Sequence, residues 1–433
     1  MTRHIIIGTG VAGYAAAETL RTLNPSGEIL LISDDPYGFY SRPGLAYYLT
    51  GEIPEKQLFL FSKNGRLNLN IQHIKARVTR IDPKTHTVKT DTAGSLTYGR
   101  LLLATGASAV PLEIPGAKLR GVVKLDNLED TKNILALVRH TKTAVVVGGG
   151  VVAVELVEGL LAQGIKIHYF LRGDWFWSNV LGESEARMVE RHLSHNEVTI
   201  HHNTEIAEIL GKRGKVSGVR TAAGTVINCD MVAVGIGVKP CMELAQAAGL
   251  KTERGILADE TLQTSDPDIF AAGDVAQIFD PLTGHSSLDN LWYPGRKQGR
   301  IAGMNMAGQK QVYRRTVAVN VLLLAGVMTT IIGAIGSKRE GVQAYTTRGS
   351  SESWQQSPNT IASENGTDIS HLRLMVGEEK LLGALVMGDQ KISGPLRELI
   401  NAQVDITPIR RQLLNSDAQL GQSVIDFWLK TKG

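Results

Sequence analysis

One repeat constrains this chain more than any other feature of its sequence. Twice, an apolar run of strand length meets a cluster of glycines and then apolar residues at helical spacing. The first copy, from His4, reads HIIIGTGVAGYAAAETLRTL, and the second, from Thr143, reads TAVVVGGGVVAVELVEGLLAQG. Helix stops follow, Asn24-Pro25 in one copy and Gly164 in the other. A second apolar run comes next, at residues 29–33 and 165–170. This order of elements predicts two βαβ units and an α/β fold built on two parallel sheets.

Length and composition agree. At roughly 150 residues per domain, a chain of 433 residues predicts two or three domains. With 43% hydrophobic and 20% charged residues, a disordered chain is excluded. The net charge of +4, without a run of like charges, gives no footing for a nucleic-acid partner. Two cysteines are too few for an iron–sulfur cluster or a disulfide framework, so a reducing cytoplasm is expected. Met1-Thr2-Arg3 runs directly into the strand-like His4-Ile5-Ile6-Ile7, so no signal peptide is expected. Residues 317–336 have the length of a membrane span. However, Asn320, Gly326, Thr329, Thr330 and Gly333, among many β-branched residues, predict two strands and no transmembrane segment. The eleven histidines lack ligand spacing, and no metal is predicted.

The expected domain order has four parts. Residues 1–115 begin one nucleotide domain, 116–245 form a second, 246–315 complete the first, and 316–433 form an α+β domain. Asp82-Pro83-Lys84-Thr85 reads as a hairpin turn between alternating runs, as does Gly377-Glu378-Glu379-Lys380. The polar stretch at 350–365 is expected to be a surface loop, and a final helix is expected near 395–402.

Gly8-Thr9-Gly10-Val11-Ala12-Gly13 follows a strand and opens a helix, the context that makes a dinucleotide fingerprint meaningful. Gly8 makes the turn, Gly10 leaves room for a pyrophosphate, and Gly13 lets helix approach strand. Val11 and Ala12 stand at the helix start, where free N–H groups and the positive dipole end favour phosphate. Asp34, 21 residues after Gly13, is expected to accept hydrogen bonds from the adenosine ribose, with Asp35 as the fallback. The second fingerprint, Gly148-Gly149-Gly150-Val151-Val152-Ala153, carries Glu155 on its helix, and Gly237 is taken as a further residue of this site. Leu171 stands where a ribose-binding acid belongs, with Arg172 beside it. A guanidinium without a competing carboxylate favours the 2′-phosphate of NADPH over NADH. Arg172 as an ordinary solvated charge, with Asp174 close by, is the alternative.

A third motif makes the reading specific. TSDPDIFAAGDV, from Thr264 to Val275, resembles the closing flavin signature of the FAD-dependent pyridine nucleotide oxidoreductases, flavoproteins with two dinucleotide-binding domains. Ala104-Thr105-Gly106, the GGGxxAxE of residues 148–155, and residues 292–299 are similar to that family's segments in the same order. Tyr40-Ser41-Arg42-Pro43-Gly44-Leu45 resembles the Y-x-R-P-x-L of the ferredoxin-, rubredoxin- and nitrite-reductase-type subgroup. The resemblance implies a glutathione-reductase-like fold in which the second nucleotide domain splits the first. It implies that Gly273 and Asp274 bind FAD, Asp274 at the ribitol, and that Arg42, next to Pro43, lies on the FAD pyrophosphate. Val78 would touch the adenine through its backbone, and Trp292 would touch the isoalloxazine. Glu155, the catalytic candidate, would lie near the nicotinamide and flavin N5.

The implied activity passes a hydride from NAD(P)H to FAD and then electrons to an external acceptor, foremost a small rubredoxin- or ferredoxin-type carrier. Oxygen, a nitrite-reducing partner and quinones are alternatives, as is a slowly turning-over flavoprotein that acts by binding. Arg296, Lys297, Arg300, Arg314 and Arg315 are candidates to attract an acidic carrier. Self-association as a homodimer is left open. Two departures stand out: Tyr47 occupies a position where relatives often carry lysine, and no cysteines lie near residues 40–47. Cys229, read as a strand residue, and Cys241 are expected to be buried packing groups rather than redox groups. The aromatic run Trp175, Phe176 and Trp177 receives no role.

Overall fold

The computed structural model describes residues 3–59, 71–280, 285–336, 342–347, 350–356, 361–366, 370–415 and 419–432. The chain divides into two compact units. One comprises Met1–Ala109, Asp126–Leu128 and Val238–Arg315; the other comprises Val110–Leu125, Glu129–Gly237 and Thr316–Gly433.

The first unit is built on a five-stranded parallel sheet in the order Ile269–Ala271, Arg100–Leu103, His4–Ile7, Ile29–Ser33, Gln72–Lys75. The fingerprint strand His4–Ile7 is central and wholly buried, which explains its unbroken apolar run. Its helix, Val11–Leu23, packs against a second helix, Trp292–Met306, along a seam of glycines. A Cβ on Gly299 would come within 2.1 Å of the Ala12 carbonyl oxygen, and one on Gly303 within 2.8 Å of that of Ala16. Only glycine permits this approach, so the seam fixes where the later segment crosses the first fingerprint. The hairpin Val78–Asp82 and Thr87–Thr90 forms at the expected turn, where Asp82 Oδ1 accepts the N–H groups of Lys84 and Thr85.

The second unit repeats the plan with Thr199–His201, Lys166–Phe170, Thr143–Val147, Met231–Val234 and Val122–Lys124, all parallel. It also holds an antiparallel sheet ordered Val319–Leu324, Val327–Gly333, Leu381–Met387, His371–Val376, Ile361–Gly366. Helices Ser393–Asn401 and Leu420–Lys430 complete the core of that sheet with Leu396, Leu399, Val424 and Phe427. The long apolar stretch is a hairpin turning at Ala325 and Gly326, both with positive φ. No helix among the described residues is long and apolar enough to cross a membrane.

Three expectations are corrected. The polar stretch contains the strands Ser350–Gln356 and Ile361–Gly366, because antiparallel pairing with Val342–Thr347 and His371–Val376 outweighs composition. Residues 357–360 of that stretch lie outside the described residues. The helix near 395–402 is not the last: Leu420, Val424 and Phe427, buried at helical spacing, anchor another. Cys229 precedes the strand Met231–Val234 instead of lying within one.

Candidate functional site

In the first unit the fingerprint turn is held by backbone contact. Gly8 has φ +111°, and a Cβ there would stand 2.1 Å from the Ala104 carbonyl oxygen. A Cβ on Gly13 would stand 2.0 Å from the Gly8 carbonyl oxygen. Gly10 is different: nothing lies within 4 Å of its Cβ direction, and its backbone is extended. Two of the glycines therefore serve packing, and the third opens a space at the start of Val11–Leu23, as a pyrophosphate requires. Around this cradle, Thr105 Oγ1 donates to the Cys241 carbonyl and Cys241 N–H to that of Gly106. The buried Gln298 side chain accepts the Gly273 N–H at 2.7 Å, which fixes the turn that presents Asp274. Trp292 opens the helix carrying the glycine seam.

Arg42 points into a group of acids. Its Nη1 donates to the Asp126 carbonyl at 2.9 Å, Nη2 lies 3.9 Å from Asp35, and the guanidinium sits 5.6 Å from the centre of the Tyr40 ring. Burial opposes its charge, but Tyr40, Asp126, Asp35 and Asp274 outweigh that and hold its pKa above the ordinary value. The two ribose candidates separate. The Asp34 side chain is 54% exposed and takes both Nε and Nη2 of Arg77 at 2.9 Å. Asp35 is 15% exposed, accepts Tyr40 Oη and the Tyr37 N–H, and lines a cavity with Thr9 and Ser33. Val78 is buried at the start of its strand.

The second unit gathers Gly148, Gly149, Gly150, Val151, Val152, Leu171, Arg172 and Gly237 around one cavity of about 610 Å³. That volume is typical of small-molecule sites, roughly 300–1,000 Å³. Gly148, with φ +137°, repeats Gly8: its Cβ would stand 2.2 Å from the Gly235 carbonyl oxygen. Gly149 and Gly150 have open space, as Gly10 does. Buried Leu171 forms part of the wall, and Arg172 is 86% exposed at 3.8 Å from Glu205. Glu205, Trp175, Trp177, Ser178 and Asn179 also line the cavity. Sequence reasoning gave none of these a role. Glu205 comes from beyond the next strand, and no local motif announces it. Glu155 lies one turn beyond Val151, with its Oε2 shielded from water, and is not among the lining residues.

Burial pushes both thiols up, Cys229 to about 12, so neither is a thiolate at neutral pH. Of the five candidate basic residues, Arg315 is withdrawn. Its Nε lies 3.4 Å from buried Asp289, and its other nitrogens donate to Ser287 and the Leu288 carbonyl. Burial holds the Asp289 pKa above its ordinary value even though Arg315 and Tyr313 pull it down.

Two glycine cradles, each closing a central parallel strand, define a protein that binds two dinucleotides. Residues 2–309 match the pyridine nucleotide-disulphide oxidoreductase family, and the chain belongs to it. It is 32% identical over 352 residues to the biphenyl dioxygenase system ferredoxin–NAD(+) reductase component of Paraburkholderia xenovorans, covering 81% of this chain and 84% of that one. It is 31% identical to the rubredoxin-NAD(+) reductase of Ectopseudomonas oleovorans, covering 65% and 73%. Against the nitrite reductase [NAD(P)H] of Bacillus subtilis it is 26% identical, and although 93% of the chain aligns, it spans only 48% of that relative. The crystal structure of the ferredoxin reductase for the CYP199A2 system from Rhodopseudomonas palustris has the same fold, with a TM-score of 0.84 at 24% identity over 98% of this chain and 100% of that one. The chain is accordingly an oxidoreductase that uses FAD and NAD(P)H.

Proposed function

We propose that the chain draws reducing equivalents from NAD(P)H in the second unit, through FAD in the first, to a small ferredoxin- or rubredoxin-type carrier protein. The observation that carries this reading is the open space at Gly10 and at Gly149-Gly150, beside glycines that serve backbone packing alone. Bound FAD supplies hydride acceptance and onward electron release, chemistry that no side chain of this protein carries. Gly10 and the start of Val11–Leu23 receive its pyrophosphate, with Arg42 as the counter-charge. Asp35 takes the ribose, with Asp34 held outward by Arg77. Gly273 and Asp274 hold the ribitol, and Ala104-Thr105-Gly106, Val78 and Trp292 complete the flavin site. Glu155 orients the nicotinamide as a positioning residue.

Arg172 supports a preference for NADPH, which Glu205 tempers by competing for the guanidinium. Arg296, Lys297, Arg300 and Arg314 provide charge for an acidic carrier. The test is anaerobic rapid mixing of the FAD-loaded protein with NADH and, separately, NADPH. Loss of oxidised-flavin absorbance is expected with both, faster with NADPH, followed by reoxidation on adding a rubredoxin or ferredoxin. No bleaching by either nucleotide would sink the proposal.

A further inference from the structure

We infer that Glu185, His371 and Arg373 form a clamp by which the antiparallel sheet of the second unit holds the wall of the NAD(P)H pocket, making Glu185 and Arg373 positioning residues for nucleotide binding. This rests on the proposed role of that pocket. The wall is residues 171–179, which contribute Leu171, Trp175, Trp177, Ser178 and Asn179 to the lining. It has little secondary structure of its own and includes Trp177, a bulky residue at φ 50° that must be held in place by its surroundings. A tight turn follows: the Trp177 carbonyl accepts the N–H groups of Val180 and Leu181, and Trp175 Nε1 donates to the Leu181 carbonyl at 3.0 Å.

That turn is gripped from outside. Arg373 Nη2 donates to the Val180 carbonyl at 2.7 Å, and its Nε lies 3.2 Å from Glu185 Oε1. His371 Nε2 lies 3.0 Å from the same oxygen. The other carboxylate oxygen accepts the Gly182 N–H at 2.7 Å, capping the helix Glu183–His195. His371 and Arg373 are two residues apart on the strand His371–Val376 and so project from one face of it. All three side chains are buried. An apolar contact of equal volume would stabilise such a junction at least as well, but only directional bonds to Val180 and Gly182 specify the path of the chain between them. One guanidinium thus joins the turn that follows the pocket wall to the start of the next helix.

The experiment compares full-length, FAD-loaded wild type with Arg373→Lys and Glu185→Gln. Lysine keeps the charge but cannot serve the Val180 carbonyl and Glu185 with two separate nitrogens. Calorimetric titration with NADP+ and NAD+ reads binding without turnover, and rapid mixing reads KM against the bleaching rate at saturation. A roughly tenfold weaker dissociation constant in Arg373→Lys is expected, with flavin content and the saturated bleaching rate near wild type. A merely structural clamp would lower the melting temperature and leave that constant unchanged, which would overturn the inference. Should Arg373→Lys fail to fold, Glu185→Gln carries the same reading, since it keeps an oxygen for Gly182 and loses the charge facing Arg373. Wild type that binds neither nucleotide would instead overturn the proposed function on which the clamp depends.

Discussion

The two fingerprints solve one packing problem in different ways. In both, a glycine at positive φ ends the central strand, and a Cβ on it would strike a carbonyl of the neighbouring strand, Ala104 in one unit and Gly235 in the other. The helix meets that junction through Gly13 in the first unit, where the neighbouring strand can afford Ala104. In the second unit the helix carries Ala153, and the space comes from Gly235 instead, whose Cβ would lie 2.8 Å from the Ala153 Cα. The junction needs a missing side chain, but it does not matter which partner lacks it. The acids diverge in the same way: Asp35 follows its strand by two residues, whereas Glu205 reaches its pocket from beyond the next strand.

Substitution separates the packing glycines from the opening glycines. Gly8→Ala should cost about 3 kcal/mol or more and abolish FAD retention, since backbone cannot yield to a 2.1 Å contact. Gly148→Ala should destabilise comparably by thermal melting. Gly10→Ala and Gly150→Ala should leave the melting temperature of the cofactor-free protein nearly unchanged, yet weaken FAD and NAD(P)H binding respectively by tenfold or more, about 1.4 kcal/mol. Equal destabilisation by all four would erase the distinction. A smaller effect sharpens the contrast between the acids. Glu205→Gln should free Arg172 and move the kcat/KM ratio toward NADPH by roughly threefold, the scale of an exposed ion pair of ~0.2–1 kcal/mol. A shift toward NADH would show that Glu205 does not hold Arg172.

The smallest effect concerns pH, and it has opposite sign in the two units. Burial raises the Glu185 pKa, but the His371 hydrogen bond and the charges of Arg373 and His371 outweigh it and hold the group below its ordinary 4.5. Its contribution to stability is therefore full above pH 4.5 and is lost as pH falls through the folded value. Burial holds Asp289 above its ordinary 3.8, so its contribution is present below that pH and declines as pH rises through the folded value. In urea titrations between pH 3 and 7, Glu185→Gln should flatten the acid loss of stability, and Asp289→Asn should steepen it.

Much of this was legible from short-range pattern. The strand–glycine–helix repeat, the hairpin at 82–86 and the two strands at 319–333 follow from periodicity and turn chemistry that act within a few residues. The polar residues at 350–365 read as a loop, yet ladder pairing is decided by the neighbouring strand and not by composition. Arg315 reads from sequence as a candidate to attract an acidic carrier because Asp289, 26 residues earlier, gives no local sign that it will meet it.

Two dinucleotide cradles and the glycines that make them are written into the local sequence, because a missing side chain and an apolar period constrain the backbone whatever surrounds them. Which acid lines each cavity follows from tertiary contacts: Asp35, 15% exposed, in the first unit with Asp34 paired to Arg77 at the surface, and Glu205, itself 59% exposed, among the residues lining the second pocket. The same holds for the grip of His371 and Arg373 on Glu185, residues 186 and 188 positions away. A side chain's direction and partners depend on strands and helices brought together over such separations, and no local spacing records them.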